Sequence, residues 1–185
     1  MQDLLHRIQY GNDETAFEEF YRSQVFRLFQ FAFAFVHNKE LSEEIVNDVF
    51  LKLWQNRSRI DQIGNFSVYM YVAVKNTAAN YLRQLKAKNK DDFYDLTVDH
   101  FYLSPDPEQL LMTRELKKKI EHSIDRLPPR CKLIFKLVKE DGLTCAEVSA
   151  ILDVSYKTIT TQLTIALKKL EEQLRPSLRQ HGLKI

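Results

Sequence analysis

The sequence predicts an all-α protein, and three observations lead to that prediction. Apolar residues recur at helical spacing along most of the chain, as in helices with one buried side. Only four of the 185 residues are glycine. No run of alternating β-branched residues is bounded by turn dipeptides, as strands would require. The length allows one domain or two small ones.

Composition argues against several classes of protein. Two cysteines, Cys131 and Cys145, form neither a disulfide framework nor a CxxC motif. We expect both to pack as small apolar residues, although a redox switch between them stays open. The five histidines are scattered, so we expect no metal and no other cofactor. A net charge of only +2 means that any attraction to nucleic acid depends on where the charges lie.

The chain shows no sign of a membrane or secretion signal. Its amino terminus lacks a basic flank followed by an apolar core. The longest apolar run, residues 25–36, includes Arg27 and Gln30 and is well short of the roughly 20 residues of a membrane span. We therefore expect a soluble, cytoplasmic protein.

Three helices are predicted in the first half. Apolar residues of the run 25–36 occupy more than one side of a helix, which predicts a buried helix: Val25, Phe26, Phe29, Ala32, Phe33 and Val36 in one stripe, Leu28, Phe31 and Phe35 outside it. Ser42 is the predicted N-cap of the next helix. Gly64 interrupts the pattern, and a long helix follows from Phe66 to about Lys88.

The middle of the chain changes in character. Six acidic residues and two prolines occur there without any Lys or Arg. Asp106 is predicted to cap a new helix that has Pro107 at its first position. We therefore predict two helical domains, 1–90 and 108–182, joined by a flexible acidic linker at 91–107.

The second domain has the pattern of a helix-turn-helix. The sequence Leu-Pro-Pro at 127–129 separates two helices, and the second of them ends at Gly142. Thr144 and Glu147 match a capping box, which begins a short helix. A turn at 153–155 then leads into a long final helix.

The final helix has a buried side and a polar side. We predict the core residues Ile159, Leu163, Ala166 and Leu170. The opposite side carries a stripe of short polar groups and lysines, which suits the major groove because threonines reach bases and lysines bind phosphates: Lys157, Thr161, Thr164 and Lys168, with Thr158 and Thr160 nearby. A solvated helix face would have a similar composition, and some helix-turn-helix units bind only protein.

Two surfaces of the first domain also carry a recognisable chemistry. The helix from Phe66 has one face that suits unstacked bases beside a basic cluster, formed by Tyr69, Val72, Asn76, Asn80 and Arg83. The preceding helix has an acidic and amide face around a leucine, which suits a basic protein surface: Glu44, Asn47, Asp48 and Leu51. Taken alone, each could be a solvated helix face.

Together these segments resemble the extracytoplasmic-function (ECF) sigma factors of RNA polymerase. The resemblance rests on LSEEIVNDVFLKLWQ, then NFSVYMYVAVKNTAANYLRQLK, the acidic linker, and a segment from IDRLPPRCKLIFKL to the final helix. It extends over about residues 10–175. It implies sigma region 2 in the first domain, region 4 in the second, and a linker that passes near the polymerase active site.

The resemblance also implies a role for each surface. The helix from Ser42 matches the segment that binds core RNA polymerase, so its candidates are Glu44, Asn47, Asp48 and Leu51. The next segment matches the part that opens and reads the −10 element of promoter DNA: Ile60, Asn65, Phe66, Tyr69, Asn76, Asn80, Arg83 and Lys86. The final helix matches the reader of the −35 element: Tyr156, Lys157, Thr158, Thr160, Thr161, Thr164 and Lys168.

The chain departs from the family pattern at several of these positions. Tyr69 and Val72 stand where Trp and Arg are common, and the final helix has few cations. Fewer phosphate contacts imply a weak intrinsic affinity for DNA, so no promoter consensus is transferred. The resemblance also suggests an anti-sigma partner, tethered to the membrane.

The sequence therefore predicts an alternative sigma factor without catalytic residues or a small-molecule substrate. One alternative is a stand-alone helix-turn-helix regulator, which would need a dimer interface, and no zipper-like heptad is present. An enzyme is a second alternative. However, the sequence offers no metal-ligand spacing, no phosphate-binding glycine loop and no nucleophile with a paired base.

Overall fold

The computed structural model describes the backbone of residues 1–88 and 111–180 and the side chains of residues 1–85 and 118–175. Every regular element in these ranges is helical, which confirms the predicted class. The chain divides into two compact units, Met1–Val98 and Asp99–Ile185. The predicted linker and its two boundaries lie outside the described residues. None of the described helices is long and apolar enough to cross a membrane.

The amino-terminal unit is organised around its second helix. Helix α2 contacts α1, α3 and α4, and α3 also contacts α4. The described elements of this unit are α1 (Gln2–Gly11), α2 (Glu14–Val36), α3 (Lys39–Gln55), a 3-10 helix (Arg57–Gln62) and α4 (Phe66–Lys88).

Helix α2 is buried on several sides, as the sequence predicts. Leu28 and Phe31, which lie outside the predicted stripe, are almost fully buried. Phe31 packs edge-on against Tyr71 of α4, with the ring centroids 5.0 Å apart. The prediction for Phe26 is wrong, because this side chain is 44% exposed. Three helices pack against α2, but none of them covers the side on which Phe26 lies.

The start of α3 differs from the prediction. The helix begins at Lys39, and its N-cap is Asn38, whose side chain accepts a hydrogen bond from the Leu41 N–H at 2.8 Å. Ser42 lies one turn inside the helix, where its buried hydroxyl donates to the Asn38 carbonyl at 2.6 Å. Asn and Ser are about equally good N-caps, so the sequence pattern did not distinguish them.

The carboxy-terminal unit packs three shorter helices against a long last one. Helix α8 contacts α5, α6 and α7. The described elements are α5 (Leu111–Asp125), α6 (Pro129–Phe135), a π-helical turn (Lys136–Glu140), α7 (Cys145–Leu152) and α8 (Tyr156–Gln180). The chain reverses after the π-helical turn at Gly142, whose φ of 73° favours glycine.

One buried cluster joins α5 and α6 to α8. It consists of Ile124, Leu127, Cys131, Ala166 and Leu170. Ile159 is also fully buried on α8. Three of the four predicted core positions of α8 are therefore confirmed, whereas Leu163 is only half-buried.

An ion pair is buried beside this cluster. The Lys132 ammonium lies 2.7 Å from the carboxylate of Asp125, and the two side chains are only 5% and 16% exposed. The pair ties the end of α5 to the first turns of α6. A buried ion whose partner is removed has no counter-charge and little water, so it strongly destabilises the fold.

We expect Lys132→Met to destabilise this unit by about 3–5 kcal/mol, because Asp125 would remain buried without its cation. Hydrogen exchange at the amides of α6 should measure the loss. Adding Asp125→Asn should recover most of it. The control is Glu171→Gln, which breaks an exposed pair with Arg175 on α8 and should cost about 0.5 kcal/mol or less. Unchanged exchange in Lys132→Met would contradict a stabilising pair.

The two cysteines differ in their surroundings. Cys131 is 2% exposed, and burial raises the pKa of its thiol. Its Sγ lies 3.1 Å from the Gln162 side-chain oxygen of α8, which accepts the thiol hydrogen. Cys145 is half-buried at the first position of α7. Cys131 thus packs as the sequence predicts, as a small core residue with a weak polar contact.

In the folded protein, iodoacetamide should alkylate Cys145 much faster than Cys131, because thiolate and access are both required for reaction. Mass spectrometry of partially labelled protein measures the two rates side by side. In denaturant the difference should disappear. Equal rates under native conditions would mean that the α5–α6–α8 cluster opens readily.

Candidate docking and nucleic-acid interfaces

The four candidate docking residues lie together on α3. Glu44, Asn47 and Leu51 are exposed and Asp48 is half-buried, whereas the opposite side of the helix packs into the core through Ile45 and Val49. Leu51 is 54% exposed. We call Glu44, Asn47, Asp48 and Leu51 the docking face. An apolar side chain among carboxylates and an amide can pack against a basic protein surface.

Two tyrosines from neighbouring helices contact the docking face. The Tyr81 hydroxyl of α4 lies 3.0 Å from Glu44 Oε1 and 2.9 Å from Asp48 Oδ2. The Tyr21 hydroxyl of α2 donates to the Asn47 side-chain oxygen at 3.1 Å. Burial, followed by the two carboxylates, raises the pKa of Tyr81 far above its ordinary value. The raised pKa keeps the Tyr81 hydroxyl protonated, so that it can act as a hydrogen-bond donor near neutral pH.

The segment between α3 and α4 places two of its candidate residues in the core. Ile60 is 5% exposed and Phe66 is 8% exposed. Their contact with −10 DNA stays a prediction, and in the structure both side chains pack almost entirely into the core. Both shape the loop from within. Asn65 is exposed, and its side-chain oxygen accepts the Val68 N–H at 3.1 Å at the start of α4.

Arg57 fixes the 3-10 helix that precedes this loop. Its guanidinium donates to the Asn12 side-chain oxygen at 2.6 Å and to the Trp54 carbonyl at 2.8 Å. It also lies 4.4 Å from the centroid of the Trp54 ring, within range of a cation–π contact. One side chain thus ties the corner between α1 and α2 to the end of α3. No pattern in the sequence around Arg57 predicts this role.

The predicted surface of α4 is present in the structure. Asn76, Asn80 and Arg83 are exposed, and Tyr69 is 38% exposed. We call Tyr69, Val72, Asn76, Asn80 and Arg83 the opening face. The Tyr69 ring packs against Phe66 in a tilted arrangement, with the ring centroids 5.9 Å apart. The side chain of Lys86, predicted to contact DNA, lies outside the described residues.

The opening face combines an aromatic ring with amides and a cation. Arg83 Nη1 donates to the Asn80 side-chain oxygen at 3.0 Å, so the cation and this amide lie side by side on the face. An exposed ring can stack on an unpaired base, and amides can bind base edges. The chemistry therefore suits single-stranded DNA.

The helix-turn-helix has the predicted local structure. Thr144 and Glu147 form a complete capping box at the start of α7. Asp153 ends α7 with a φ of 56°, a left-handed conformation that short polar residues tolerate. The Ser155 hydroxyl oxygen then accepts the Thr158 N–H at 3.1 Å at the start of α8.

The polar side of α8 faces solvent. Tyr156, Lys157, Thr161, Thr164 and Lys168 are exposed, whereas Thr158 and Thr160 are half-buried. We call Lys157, Thr161, Thr164 and Lys168 the recognition stripe.

Two of the α8 threonines already use their hydroxyl hydrogens. Thr160 donates to the Lys157 carbonyl at 3.0 Å, and Thr164 donates to the Thr160 carbonyl at 2.8 Å. In this arrangement each hydroxyl oxygen can still accept a hydrogen bond, and each side chain has a methyl group. These two threonines therefore suit the donors of cytosine and adenine or the methyl of thymine.

Comparison with known proteins identifies both units. The family model described as Sigma-70 region 2 matches residues 20–88, and the one described as Sigma-70, region 4, matches residues 117–170. The ECF RNA polymerase sigma-E factor of Escherichia coli strain K12 is 23% identical over 185 residues, with 96% of each chain covered. The ECF RNA polymerase sigma factor SigW of Bacillus subtilis strain 168 is 24% identical over 174 residues, covering 88% of this chain and 91% of SigW.

Two solved structures have a similar fold. CnrH, solved in complex with the cytosolic domain of CnrY, gives a TM-score of 0.52 at 17% identity, covering 94% of this chain and 96% of CnrH. Sigma factor RpoE from Bartonella quintana, solved with the anti-sigma factor NepR, gives a TM-score of 0.54 at 17% identity, covering 85% of this chain and 98% of RpoE. Sigma-70 regions 2 and 4 thus occur here in that order, and relatives aligned over nearly their whole length are ECF sigma factors. The chain therefore belongs to the sigma-70 family and is an ECF-type sigma factor.

Proposed function

We propose that the two units divide the work of promoter recognition. Residues 1–90 bind core RNA polymerase through the docking face and open the −10 element along the opening face. Residues 108–182 read the −35 element through the recognition stripe, and the linker 91–107 joins them. One observation carries this proposal. An acidic docking face and an aromatic, amide-rich face occur on adjacent helices of one unit, in a chain that also has a helix-turn-helix.

The docking face would meet a basic surface of polymerase. Glu44 and Asp48 supply negative charge, and Leu51 supplies an apolar contact that is 54% exposed in the isolated chain. Charge complementarity of this kind speeds association and fixes the register, while the apolar centre of an interface slows dissociation.

The opening face would capture a base once it leaves the duplex. Extruding a base costs a few kcal/mol, and stacking on an aromatic ring returns about 1–3 kcal/mol. Tyr69 is the ring available for stacking, and Asn76 lies two helical turns further along the same face. With Ile60 and Phe66 buried, the loop before α4 acts as a support.

The recognition stripe would lie in the major groove with a lysine near each end. Lys157 and Lys168 suit phosphates on either side of the groove, and the threonines between them suit base edges. The two cations of the stripe would release few counterions on binding. The recognition stripe would therefore contribute little to the affinity of the protein for duplex DNA. Specific binding would therefore require the holoenzyme.

The remaining parts of the proposal follow from this division. Phosphodiester bond formation belongs to polymerase, so the chain acts without catalytic residues or cofactor and works in the cytoplasm, where polymerase is found. CnrH and RpoE were each solved in complex with a second protein, described for RpoE as an anti-sigma factor. We extend this to the present chain and propose an anti-sigma partner that is tethered to the membrane.

Asp48→Arg combined with Leu51→Arg should weaken binding to core polymerase by about 100-fold or more, because like charges brought together cost several kcal/mol. Surface plasmon resonance with immobilised core enzyme measures the affinity, and circular dichroism monitors the fold. The control is Glu18→Arg on α2, an exposed charge reversal that breaks only its pair with Arg22. Normal binding by a folded double variant would place the docking surface elsewhere.

Lys168→Ala should weaken holoenzyme binding equally on all promoter variants and reduce the salt slope by about one unit, because one phosphate contact is lost. Titration of fluorescent promoter duplex across a salt series provides the slope. Lys169→Ala is the matched control. This substitution also removes one positive charge from α8, but Lys169 lies outside the recognition stripe. A similar change in slope for both variants would mean that Lys168 acts only through net charge.

Asn76→Ala should leave closed-complex binding nearly intact but reduce open-complex formation by about 1–3 kcal/mol, because one base contact is lost. It should also relax discrimination at one −10 position. Permanganate footprinting of single-base promoter variants tests both effects. If Asn76→Ala melts every variant as well as the wild-type protein does, Asn76 does not read a base.

A further inference from the structure

The Tyr81 hydroxyl has an unusual set of neighbours. It lies 3.0 Å from a Glu44 oxygen and 2.9 Å from an Asp48 oxygen, so both carboxylates are within hydrogen-bond range of one group. Glu44 and Asp48 are four residues apart on α3, and like charges at that spacing repel each other on a helix. The hydroxyl is therefore a donor that either carboxylate can use, placed between two side chains that repel each other.

One hydrogen has to serve two acceptors. A tyrosine hydroxyl carries a single hydrogen, so it donates to one carboxylate at a time. The other carboxylate remains within about 3 Å of the hydroxyl oxygen without receiving that hydrogen. The carboxylates of Glu44 and Asp48 can therefore accept further hydrogen bonds. An incoming ammonium or guanidinium group would supply the donors.

We propose that Tyr81 is a positioning residue for polymerase docking, whose hydroxyl presets Glu44 and Asp48 as one acceptor pair for a basic side chain of core polymerase. This inference rests on the proposed docking role of α3. Tyr81 itself belongs to α4, so the residue that arranges the docking face comes from the helix that carries the opening face.

Preorganisation explains why such a residue would strengthen binding. An unrestrained glutamate loses rotamer freedom when it is fixed in an interface, which costs about as much as one immobilised side chain. With Tyr81 in place, the side chains of Glu44 and Asp48 would lose this rotamer freedom during folding, before polymerase binds. The half-buried Tyr81 ring can hold its hydroxyl in place, and the raised pKa of that hydroxyl keeps its hydrogen available.

The second tyrosine contact differs in kind. Tyr21 donates to Asn47, a neutral amide, and its ring packs against Phe50 with a centroid distance of 4.7 Å. No charge repulsion has to be overcome there. Tyr81 is thus the contact through which the paired negative charge of the docking face is arranged.

The test is Tyr81→Phe in the full-length chain, which keeps the ring and removes only the hydroxyl. Affinity for core polymerase should fall about three- to tenfold, the range expected when side chains must be ordered on binding. The matched control is Tyr10→Phe on α1. The Tyr10 ring lies 4.8 Å from that of His6, away from the docking face, and this variant should bind core polymerase as the wild-type protein does.

A double-mutant cycle separates positioning from a general effect on the fold. In a Glu44→Ala/Asp48→Ala background, Tyr81→Phe should change core affinity by less than about twofold, because the hydroxyl has nothing left to position. Hydrogen exchange at the α3 and α4 amides monitors the stability of each variant.

The outcomes are distinguishable. If Glu44→Ala/Asp48→Ala binds core polymerase normally, the proposed docking role of α3 fails and the inference fails with it. If that variant binds weakly but Tyr81→Phe binds normally, docking stands and the positioning role is overturned. Equal losses from Tyr81→Phe in both backgrounds would also overturn it, since the hydroxyl would then act through the fold alone.

Discussion

Packing against Phe20 is the constraint on which the amino-terminal unit depends. This side chain of α2 is 1% exposed, and its ring centroid lies 5.9 Å from that of Phe50 on α3 and 5.5 Å from that of Phe66 at the start of α4. A buried aromatic side chain removes about 150–250 Å² from water. Phe20 thereby fixes α3 and α4 against the same helix. The docking face and the opening face each lie on one of these helices, so their separation follows from this contact.

Much of the fold can be predicted from the sequence because helical periodicity is a local property. The buried helix at 25–36, the long helix from Phe66 to Lys88 and the capping box at Thr144 are all present in the structure. The N-cap of α3 was misplaced from Asn38 to Ser42, because cap identity depends on backbone conformation as well as residue type. The exposure of Phe26 depends on which sides of α2 its neighbours cover, and helical spacing does not contain that information.

The candidate site was predicted less completely, because its supporting contacts join residues far apart in sequence. Each face could be assigned from residue types on one helix, and the structure brings the members of each face together. The contacts that hold these faces in place join Tyr81 to Glu44 and Arg57 to Asn12. No pattern within either segment indicates them. Ile60 and Phe66 are candidates only through the family resemblance, and both side chains are buried in the structure.

The sparse charge of the recognition stripe on α8 fits the proposed dependence of promoter binding on polymerase. Of the five cationic residues of α8, only Lys157 and Lys168 belong to the recognition stripe, so the stripe would make a small electrostatic contribution. The back-bonded Thr160 and Thr164 would add directional contacts that act only at short range. We expect such a stripe to bind DNA weakly on its own. Once polymerase holds the rest of the chain at a promoter, the same contacts become intramolecular, and their effective concentration rises toward the millimolar range. In the proposed function, weak but selective contacts would then be sufficient to choose between promoters, because polymerase would supply most of the affinity and α8 would supply the difference in affinity between promoters.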